Sequence, residues 1–282
     1  MEVSLSFLSE LPLYATEKPY DIYREVPAGV PTSNCEFEEH HNIKVYDVRK
    51  IQSSFDLDSS GFKLLRAPSK IDVNSIDFKD RTSDSTMVYL RDTVNLVKEE
   101  LGANRVLCFD WRLRKRTSPT ASLSQQPHNL DYDRFEALET AKIVHADLGF
   151  ELTQLSVWRP FVAVVQDNPI AFCDRRTVRR EDLISVDKIH EDHWEEGLYM
   201  YDRPWHKWYW VSDQTSDEVT LFVTWDSKEG NTVACPPHVS FINPLAKTGY
   251  PARKSVEVRL MVFTWVGHNQ AGGESFGEEI EK

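Results

Sequence analysis

Histidine and carboxylate side chains in the chain have the types and spacing of a mononuclear metal site. His238, in the segment CPPHVSF, begins a predicted strand directly after two prolines, which can hold an imidazole rigidly toward a cavity. A catalytic iron site needs few protein ligands, and two histidines with one carboxylate leave positions open for dioxygen and a cosubstrate. A histidine that only makes hydrogen bonds at a strand end is the alternative for His238 considered alone.

Two His/Asp pairs compete for the rest of such a site. His128 and Asp131 in PHNLDYD are separated by two residues, so they share a face of a strand only if a bulge intervenes. His145 and Asp147 alternate as a strand requires, but they follow a stretch with helical spacing, residues 134–144. A helix cap or a surface polar cluster would explain either pair without a metal.

An arginine and a serine downstream of His238 could bind a dicarboxylate. Arg253 and Ser255 bracket the start of the apolar run VEVRLMVF, and Arg259 lies inside it. A guanidinium has a fixed fork of donors that matches a carboxylate, and a nearby hydroxyl adds a further hydrogen bond. A buried arginine must meet an anion, because an unpaired charge in the core is costly. An internal salt bridge with an Asp or Glu is the alternative.

These side chains have to be positioned by a mainly β chain. Alternating apolar residues and frequent Pro, Gly and Asp breaks predict many short strands, which is typical of a β-sandwich or barrel. One helix is predicted over 85–101, with Gly102 as its C-cap, and a second over 134–144. The predicted strands span 43–50, 61–68, 105–113, 150–161, 169–178, 207–214, 218–227, 233–242 and 255–265.

Composition limits the possible partners and the compartment. The 282 residues carry a formal net charge of -12, which disfavours nucleic acid and anionic membranes as partners. Four separated cysteines without a CxxC pair indicate a reducing compartment, and the N-terminal segment lacks the basic start of a signal peptide, so a cytoplasmic protein is expected. His190 and His193 lie in the acidic stretch HEDHWEEG and are predicted to face solvent.

A series of segments in the chain resembles the fungal AsaB/gibberellin GA4 desaturase-like family, also called CmcJ-like. In order, they are IKVYDVRK, DSSGFKLLRAPSK, RVLCFDWRLRKR, SVWRPF, NPIAFCDRRTV with EDLISVD, HKWYWVSDQTSDEV, TWDSKEG, PPHVSFINP and ARKSVEVRLMVF. The resemblance implies a mainly β protein with a double-stranded β-helix (jelly-roll, cupin-like) core and flanking helices. We expect this core over 103–266, an N-terminal α/β extension over 1–102 and an acidic, flexible tail over 267–282.

The resemblance also implies the activity and its cofactors. The family is regarded as iron(II)/2-oxoglutarate-dependent oxygenases of fungal secondary metabolism, which use dioxygen to hydroxylate, desaturate or close a ring in a small molecule. The expected partners are therefore Fe(II), 2-oxoglutarate, dioxygen and a small-molecule substrate.

The site residues follow position by position. His238 resembles the distal iron ligand, and Arg253 with Ser255 resembles the 2-oxoglutarate clamp, with Arg259 assisting at the second carboxylate. The family's His-x-Asp motif precedes the WRP segment at a distance that His128 fits. The predicted catalytic and metal-binding residues are therefore His128, Asp131 and His238.

Four further residues are predicted to bind the substrate: Trp158, Arg159, Tyr209 and Trp225. Core packing is the alternative for the aromatic residues, and a structural acid is the alternative partner of Arg159. Two other functions stay open. The extra residue between His128 and Asp131 favours a metal-poor relative that guides a non-redox cyclisation or isomerisation, and a non-catalytic partner subunit is the third possibility.

Overall fold

The computed structural model describes residues 1–51, 54–73, 76, 83–115, 153–227, 233–247 and 249–264, together with the backbone of residues 145–146. Within these residues the single α-helix, α1, is Asp84–Leu101. The strands are β1 (Glu2–Leu8), β2 (Tyr20–Ile22), β3 (Phe37–Asp47), β4 (Phe62–Arg66), β5 (Arg105–Lys115), β6 (His145–Ala146), β7 (Thr153–Pro160), β8 (Val164–Val165), β9 (Ile170–Cys173), β10 (Leu183–Ile189), β11 (Trp194–Met200), β12 (Trp208–Trp210), β13 (Gln214–Thr215), β14 (Glu218–Trp225), β15 (His238–Ser240) and β16 (Lys254–Phe263). Short 3-10 turns span Pro12–Ala15, Val48–Lys50, Arg175–Thr177 and Arg180–Asp182.

Two large sheets form the body of the described structure. The five-stranded sheet has the order β4-β14-β7-β16-β5, and the nine-stranded sheet has the order β1-β3-β12-β9-β15-β6-β11-β10-β2. Every neighbouring pair in the smaller sheet is antiparallel. In the larger sheet β3 pairs with β12 and β2 with β10 in parallel, and the other pairs are antiparallel. The nearly closed, mainly β arrangement confirms the predicted jelly-roll fold.

The outer face of the five-stranded sheet is covered by α1. The Ser83 hydroxyl caps the helix by accepting the Thr86 N–H, and Gly102 ends it in the left-handed conformation with φ 57°. The buried face of the helix carries Leu90, which belongs to the same apolar cluster as Val258 of β16. The helix predicted over 85–101 is therefore confirmed, and its packing fixes which face of β16 is turned away from the interior.

The inner face of β16 is polar. Because side chains alternate along a strand, Ser255, Glu257 and Arg259 share the face opposite to Val258. The Ser156 hydroxyl of the neighbouring β7 donates to Glu257 Oε1 at 2.9 Å on this face. The nine-stranded sheet contributes Phe172 of β9, which packs across the interior on Phe222 of β14, a strand of the same sheet as β16, with ring centroids 5.2 Å apart. The space between the sheets is thus polar along one strand and apolar opposite it.

Several strands were not predicted from the sequence. β1, β10 and β11 were missed, and β11 runs through the acidic stretch that was expected to face solvent. His190, predicted to be solvent-facing, is buried and stacks on Tyr23 with ring centroids 5.0 Å apart, and its burial lowers the pKa of the imidazole. Strand β11 was missed because its exposed first half is acidic and hides the strand pattern, whereas its second half is buried by the rest of the sheet.

The N-terminal residues contribute to both sheets. β1, β2 and β3 lie in the nine-stranded sheet and β4 lies at the edge of the five-stranded sheet. The helix predicted over 134–144 and the tail predicted over 267–282 lie outside the described residues. Among the residues that the structure describes, no helix combines the length and apolar character needed to cross a membrane.

Arg159 of β7 joins α1 to the five-stranded sheet. It is 4% exposed and faces outward, since it lies opposite Val256 in the pairing with β16. Its Nη1 donates to the carbonyl oxygens of Ala67 (2.7 Å) and Ser216 (2.6 Å), and its Nε donates to the Tyr89 hydroxyl at 3.2 Å. These contacts give Arg159 a scaffold role, and its contact with substrate stays a prediction.

Replacing this guanidinium should destabilise the fold. Arg159→Met removes the donor to three oxygen atoms, one buried and two partly buried, and we expect the free energy of unfolding to fall by about 2–4 kcal/mol. Urea denaturation measures the change. Arg66→Met, at an exposed position of β4, is the control and should cost less than about 0.5 kcal/mol. Equal effects of the two substitutions would contradict the scaffold role.

Candidate active site

Strand pairing brings two histidines of the sequence into register. β15 pairs on one side with β9 and on the other with β6, and His238 is the Cα partner of both Phe172 and His145. Directly opposed positions of antiparallel strands lie about 5 Å apart and share a face of the sheet. Of the two His/Asp pairs in the sequence, the one that begins at His145 is therefore next to His238. His128, Asp131 and Asp147 lie outside the described residues.

The His238 imidazole is held with one nitrogen turned to the backbone. The side chain is 6% exposed, and Nδ1 lies 3.2 Å from the carbonyl oxygen of Pro236. A carbonyl can only accept, so in this contact Nδ1 carries the proton and the lone pair is on Nε2. The rings of Phe172 and Phe222 flank the imidazole, with centroid distances of 5.8 and 4.7 Å. This is the tautomer and the apolar setting that a metal-binding histidine needs.

The chain before His238 is fixed by the turn at residues 58–61. Arg175 donates from Nε to the Ser59 carbonyl (3.1 Å) and from Nη1 to the Ala234 carbonyl (2.6 Å), so one guanidinium joins the two segments. Gly61 lies against Pro236 with φ +85°, and a Cβ at this position would lie 2.8 Å from Pro236 Cδ. Pro236, whose carbonyl orients the imidazole, is therefore packed directly on this turn.

The Arg253 side chain lies in the interior and contacts Ser240 of β15. Only 1% of it is exposed, and its Nη1 donates to the Asn168 carbonyl at 2.8 Å and to Ser240 Oγ at 3.2 Å. Both acceptors are neutral, and these two bonds orient the guanidinium. Its Cζ lies 5.6 Å from the Trp158 ring centroid.

Ser255 completes the predicted arginine–serine pair. It is 1% exposed, and its Oγ has no hydrogen-bond partner among the described residues. A buried hydroxyl without a hydrogen-bond partner destabilises the fold, so a bound ligand that accepts a hydrogen bond from Ser255 would offset this cost. Arg253 and Ser255 together form a buried donor set of the kind that a carboxylate requires.

Arg259 lies on the same face of β16, but its guanidinium contacts acidic side chains of the protein. Its Nε donates to Glu257 Oε1 at 3.3 Å, and its Nη1 lies 4.0 Å from Asp110 Oδ2. The assisting role of Arg259 at a carboxylate stays a prediction.

The three aromatic candidates differ in position. Trp158 is 2% exposed and lies in the interior beside Arg253, with its Nε1 lacking a hydrogen-bond partner among the described residues. Tyr209 packs on Phe55 at a centroid distance of 4.6 Å, and burial raises the pKa of its phenol, so it stays a neutral donor. Trp225 follows an irregularity in the pairing of β14 and lies opposite Gln154 of β7.

Sequence reasoning missed the supporting residues of this site. Ser240, Asn168 and Arg175 contact the candidate residues through interactions between distant segments. A sequence signal existed for Ser240 alone, because it lies two residues after His238 in a predicted strand and so shares its face.

Comparisons with known proteins agree with the fold. A family model described as "Oxidoreductase/YMDC permease-like domain" matches residues 5–263. The Fe(II)/2-oxoglutarate-dependent dioxygenase nvfI of Aspergillus novofumigatus is 30% identical over 247 residues, which cover 79% of this chain and 83% of that protein. The gibberellin cluster GA4 desaturase of Gibberella fujikuroi is 32% identical over 115 residues, which cover 38% of this chain and 33% of that protein. Among solved structures, a variant of the iron and alpha-ketoglutarate-dependent endoperoxidase NvfI matches with a TM-score of 0.79 and 25% identity, over 93% of this chain and 96% of that one.

The fold, the paired strands of His145 and His238 and the relatives together define an oxidoreductase of the non-haem iron class. The chain belongs to the matched oxidoreductase family and, within it, to the AsaB/GA4 desaturase-like iron(II)/2-oxoglutarate-dependent oxygenases, as the sequence motifs predicted. Iron(II), 2-oxoglutarate and dioxygen are the cofactor and cosubstrates of this class. The described residues fit these groups: His238 donates from Nδ1 and so has its lone pair on Nε2, and Ser255 Oγ is a buried hydroxyl two residues after the buried Arg253.

Gly61 provides a test of how His238 is held. Gly61→Ala adds a Cβ that meets Pro236, and we expect it to lower the free energy of unfolding by about 1–3 kcal/mol more than the left-handed backbone alone would cost. It should also weaken iron(II) binding about tenfold, as loss of support for a ligand typically does. Urea denaturation and anaerobic metal titration measure the two effects.

Gly29→Ala is the matched control, because Gly29 has φ +87° and no other atom lies within 4 Å of the position that an added Cβ would take. The two substitutions impose the same backbone cost, and only the one at Gly61 changes packing near the site. If both variants lose the same stability and bind iron alike, the turn does not support His238.

Proposed function

We propose that the enzyme oxidises a small-molecule intermediate of fungal secondary metabolism, by hydroxylation, desaturation or oxidative ring formation. In this proposal iron(II) binds His145, Asp147 and His238, and the distal carboxylate of 2-oxoglutarate binds Arg253 and Ser255. The observation that carries the ligand set is the register in which His145 and His238 are Cα partners. This set replaces His128 and Asp131 of the sequence-based prediction.

Two arguments support His145 and Asp147. Residues 145–146 form a strand, which supports the extended context that this pair needs after the preceding helical pattern. The spacing of His145 and Asp147 is the simple alternation that keeps two residues on one face of an extended chain, without the bulge that His128 and Asp131 need. Two histidines and one carboxylate would leave metal positions open for the cosubstrates.

The residues of the chain have separable tasks in the reaction. When bound with 2-oxoglutarate and dioxygen, iron(II) supplies the oxidising power that removes hydrogen from the substrate. His238 keeps its Nε2 lone pair directed by donating Nδ1–H to Pro236. Arg253 and Ser255 fix the far end of the diacid, and Trp158 packs beside the guanidinium. Phe172 and Phe222 exclude water from one side of the imidazole.

The alternatives raised by the sequence lose their support in this arrangement. The metal-poor relative rested on the irregular spacing of His128 and Asp131, and a site built on His145 and Asp147 has regular spacing. The relatives named as dioxygenases and hydroxylase/desaturases argue against a non-catalytic subunit. We further propose a cytosolic location, since Cys108, Cys173 and Cys235 are buried as thiols.

Substitution of both pairs distinguishes the two ligand sets. We expect His145→Ala and Asp147→Ala to weaken Mn(II) binding, used as a redox-silent probe, by at least on the order of 100-fold, more than loss of a supporting residue costs. His128→Ala and Asp131→Ala are the matched controls and should bind Mn(II) like the wild type. Anaerobic titration followed by electron paramagnetic resonance measures the free ion. The reverse pattern would restore His128 and Asp131 as ligands.

Coupled turnover tests the cosubstrate site. The purified enzyme with iron(II) and 2-oxoglutarate should release succinate, and Arg253→Met should raise the KM for 2-oxoglutarate on the order of 100-fold, because it removes the charged partner of a buried carboxylate. Arg259→Met should leave this KM within about threefold, since Arg259 contacts Glu257. A similar rise in both variants would bring Arg259 into the clamp, and no succinate from the wild type would argue against the function.

A further inference from the structure

Ser240 connects the strand of the metal ligand to the buried arginine. It lies two residues after His238 on β15, so the two side chains share a face of the sheet. It is 7% exposed, and its Oγ lies 3.2 Å from Arg253 Nη1. The sequence-based prediction did not include Ser240 among the site residues.

The chemistry of this contact leaves a hydrogen to donate. A guanidinium has donors only, so Ser240 Oγ must be the acceptor of the bond from Arg253. The Ser240 hydroxyl hydrogen is therefore not used in that bond. It lies close to the Arg253 guanidinium, the positive group that would attract a carboxylate. A hydroxyl polarised by a cation on its oxygen is a stronger donor, because hydrogen bonds in a chain reinforce one another.

The spacing along β15 suits a diacid chelated at one end. Two residues of strand span about 7 Å between His238 and Ser240. The carbon chain of 2-oxoglutarate is roughly 5 Å long, from C–C bonds of about 1.5 Å. A metal–ligand bond at one end and a hydrogen bond at the other account for the difference. A diacid held at His238 would then bring its far carboxylate beside Ser240 and Arg253.

We propose that Ser240 is a further ligand of 2-oxoglutarate and donates its hydroxyl to the distal carboxylate together with Arg253 and Ser255. This inference rests on the proposed function. Three donors from two strands would surround the carboxylate: Ser240 from β15, and Arg253 with Ser255 at the start of β16. The site would thereby select 2-oxo acids that carry a second carboxylate.

The experiment compares two 2-oxo acids on the iron(II)-loaded protein under anaerobic conditions. 2-Oxoglutarate has the distal carboxylate, whereas 2-oxobutyrate lacks it. The visible charge-transfer band of the iron–oxo acid complex reports the Kd of each. We expect Ser240→Ala and Ser240→Cys to raise the Kd of 2-oxoglutarate about 10–100-fold, the range for one hydrogen bond to a charged group. The Kd of 2-oxobutyrate and that of iron(II) should change less than about threefold.

Ser240→Thr keeps the hydroxyl and should bind 2-oxoglutarate within about threefold of the wild type. Ser240→Cys keeps the volume, so it provides the same measurement if the alanine variant does not fold. An equal loss for both 2-oxo acids, or no loss for either, would overturn the proposal.

Arg253→Met distinguishes this result from failure of the proposed function. If Arg253→Met loses 2-oxoglutarate and Ser240→Ala does not, only the role of Ser240 is wrong. If the wild type itself shows no preference for 2-oxoglutarate over 2-oxobutyrate, the cosubstrate site of the proposed function is wrong.

Discussion

The pairing of β15 between β6 and β9 is the constraint on which the candidate site depends. It makes His145 and His238 partners across one ladder, although 93 residues of sequence separate them (238 − 145). The same short strand ends at Ser240, next to the guanidinium of Arg253. One three-residue strand thus links the two halves of the site, and its register decides which side chains meet, because a slip of one residue would turn them all to the opposite face.

Local pattern was sufficient to predict much of the scaffold. The helix over 85–101 and most of the strands after residue 103 follow from alternation and from breaks at Pro, Gly and Asp. The choice between the two candidate His/Asp pairs is not accessible in this way. His128 and His145 both stand before the WRP segment, and the choice between them depends on which stretch of chain pairs with β15. That is a contact between distant residues, and no local spacing encodes it.

Two buried arginines illustrate the same limit. Arg159 and Arg253 both lie near strand positions flanked by apolar residues, and both were candidates for binding an anion. The structure turns Arg159 outward, where it holds Tyr89 and two backbone carbonyls, and turns Arg253 inward, where it lies over the Trp158 ring. Trp158 and Arg159 are neighbours in the chain, so alternation sends them to opposite sides of the sheet. Only the position of α1 reveals which side is the interior.

The contact of Gly61 with Pro236 couples His238, the candidate metal ligand, to the global stability of the protein. Gly61 leads directly into β4 at the edge of one sheet, and Pro236 leads into β15 inside the other. The two segments meet at this contact, and the Arg175 guanidinium joins them by donating to the carbonyl oxygens of Ser59 and Ala234. Separation of the two sheets here would release the imidazole in the same event, so the ligand belongs to a cooperative unit of the core instead of a loop that opens on its own.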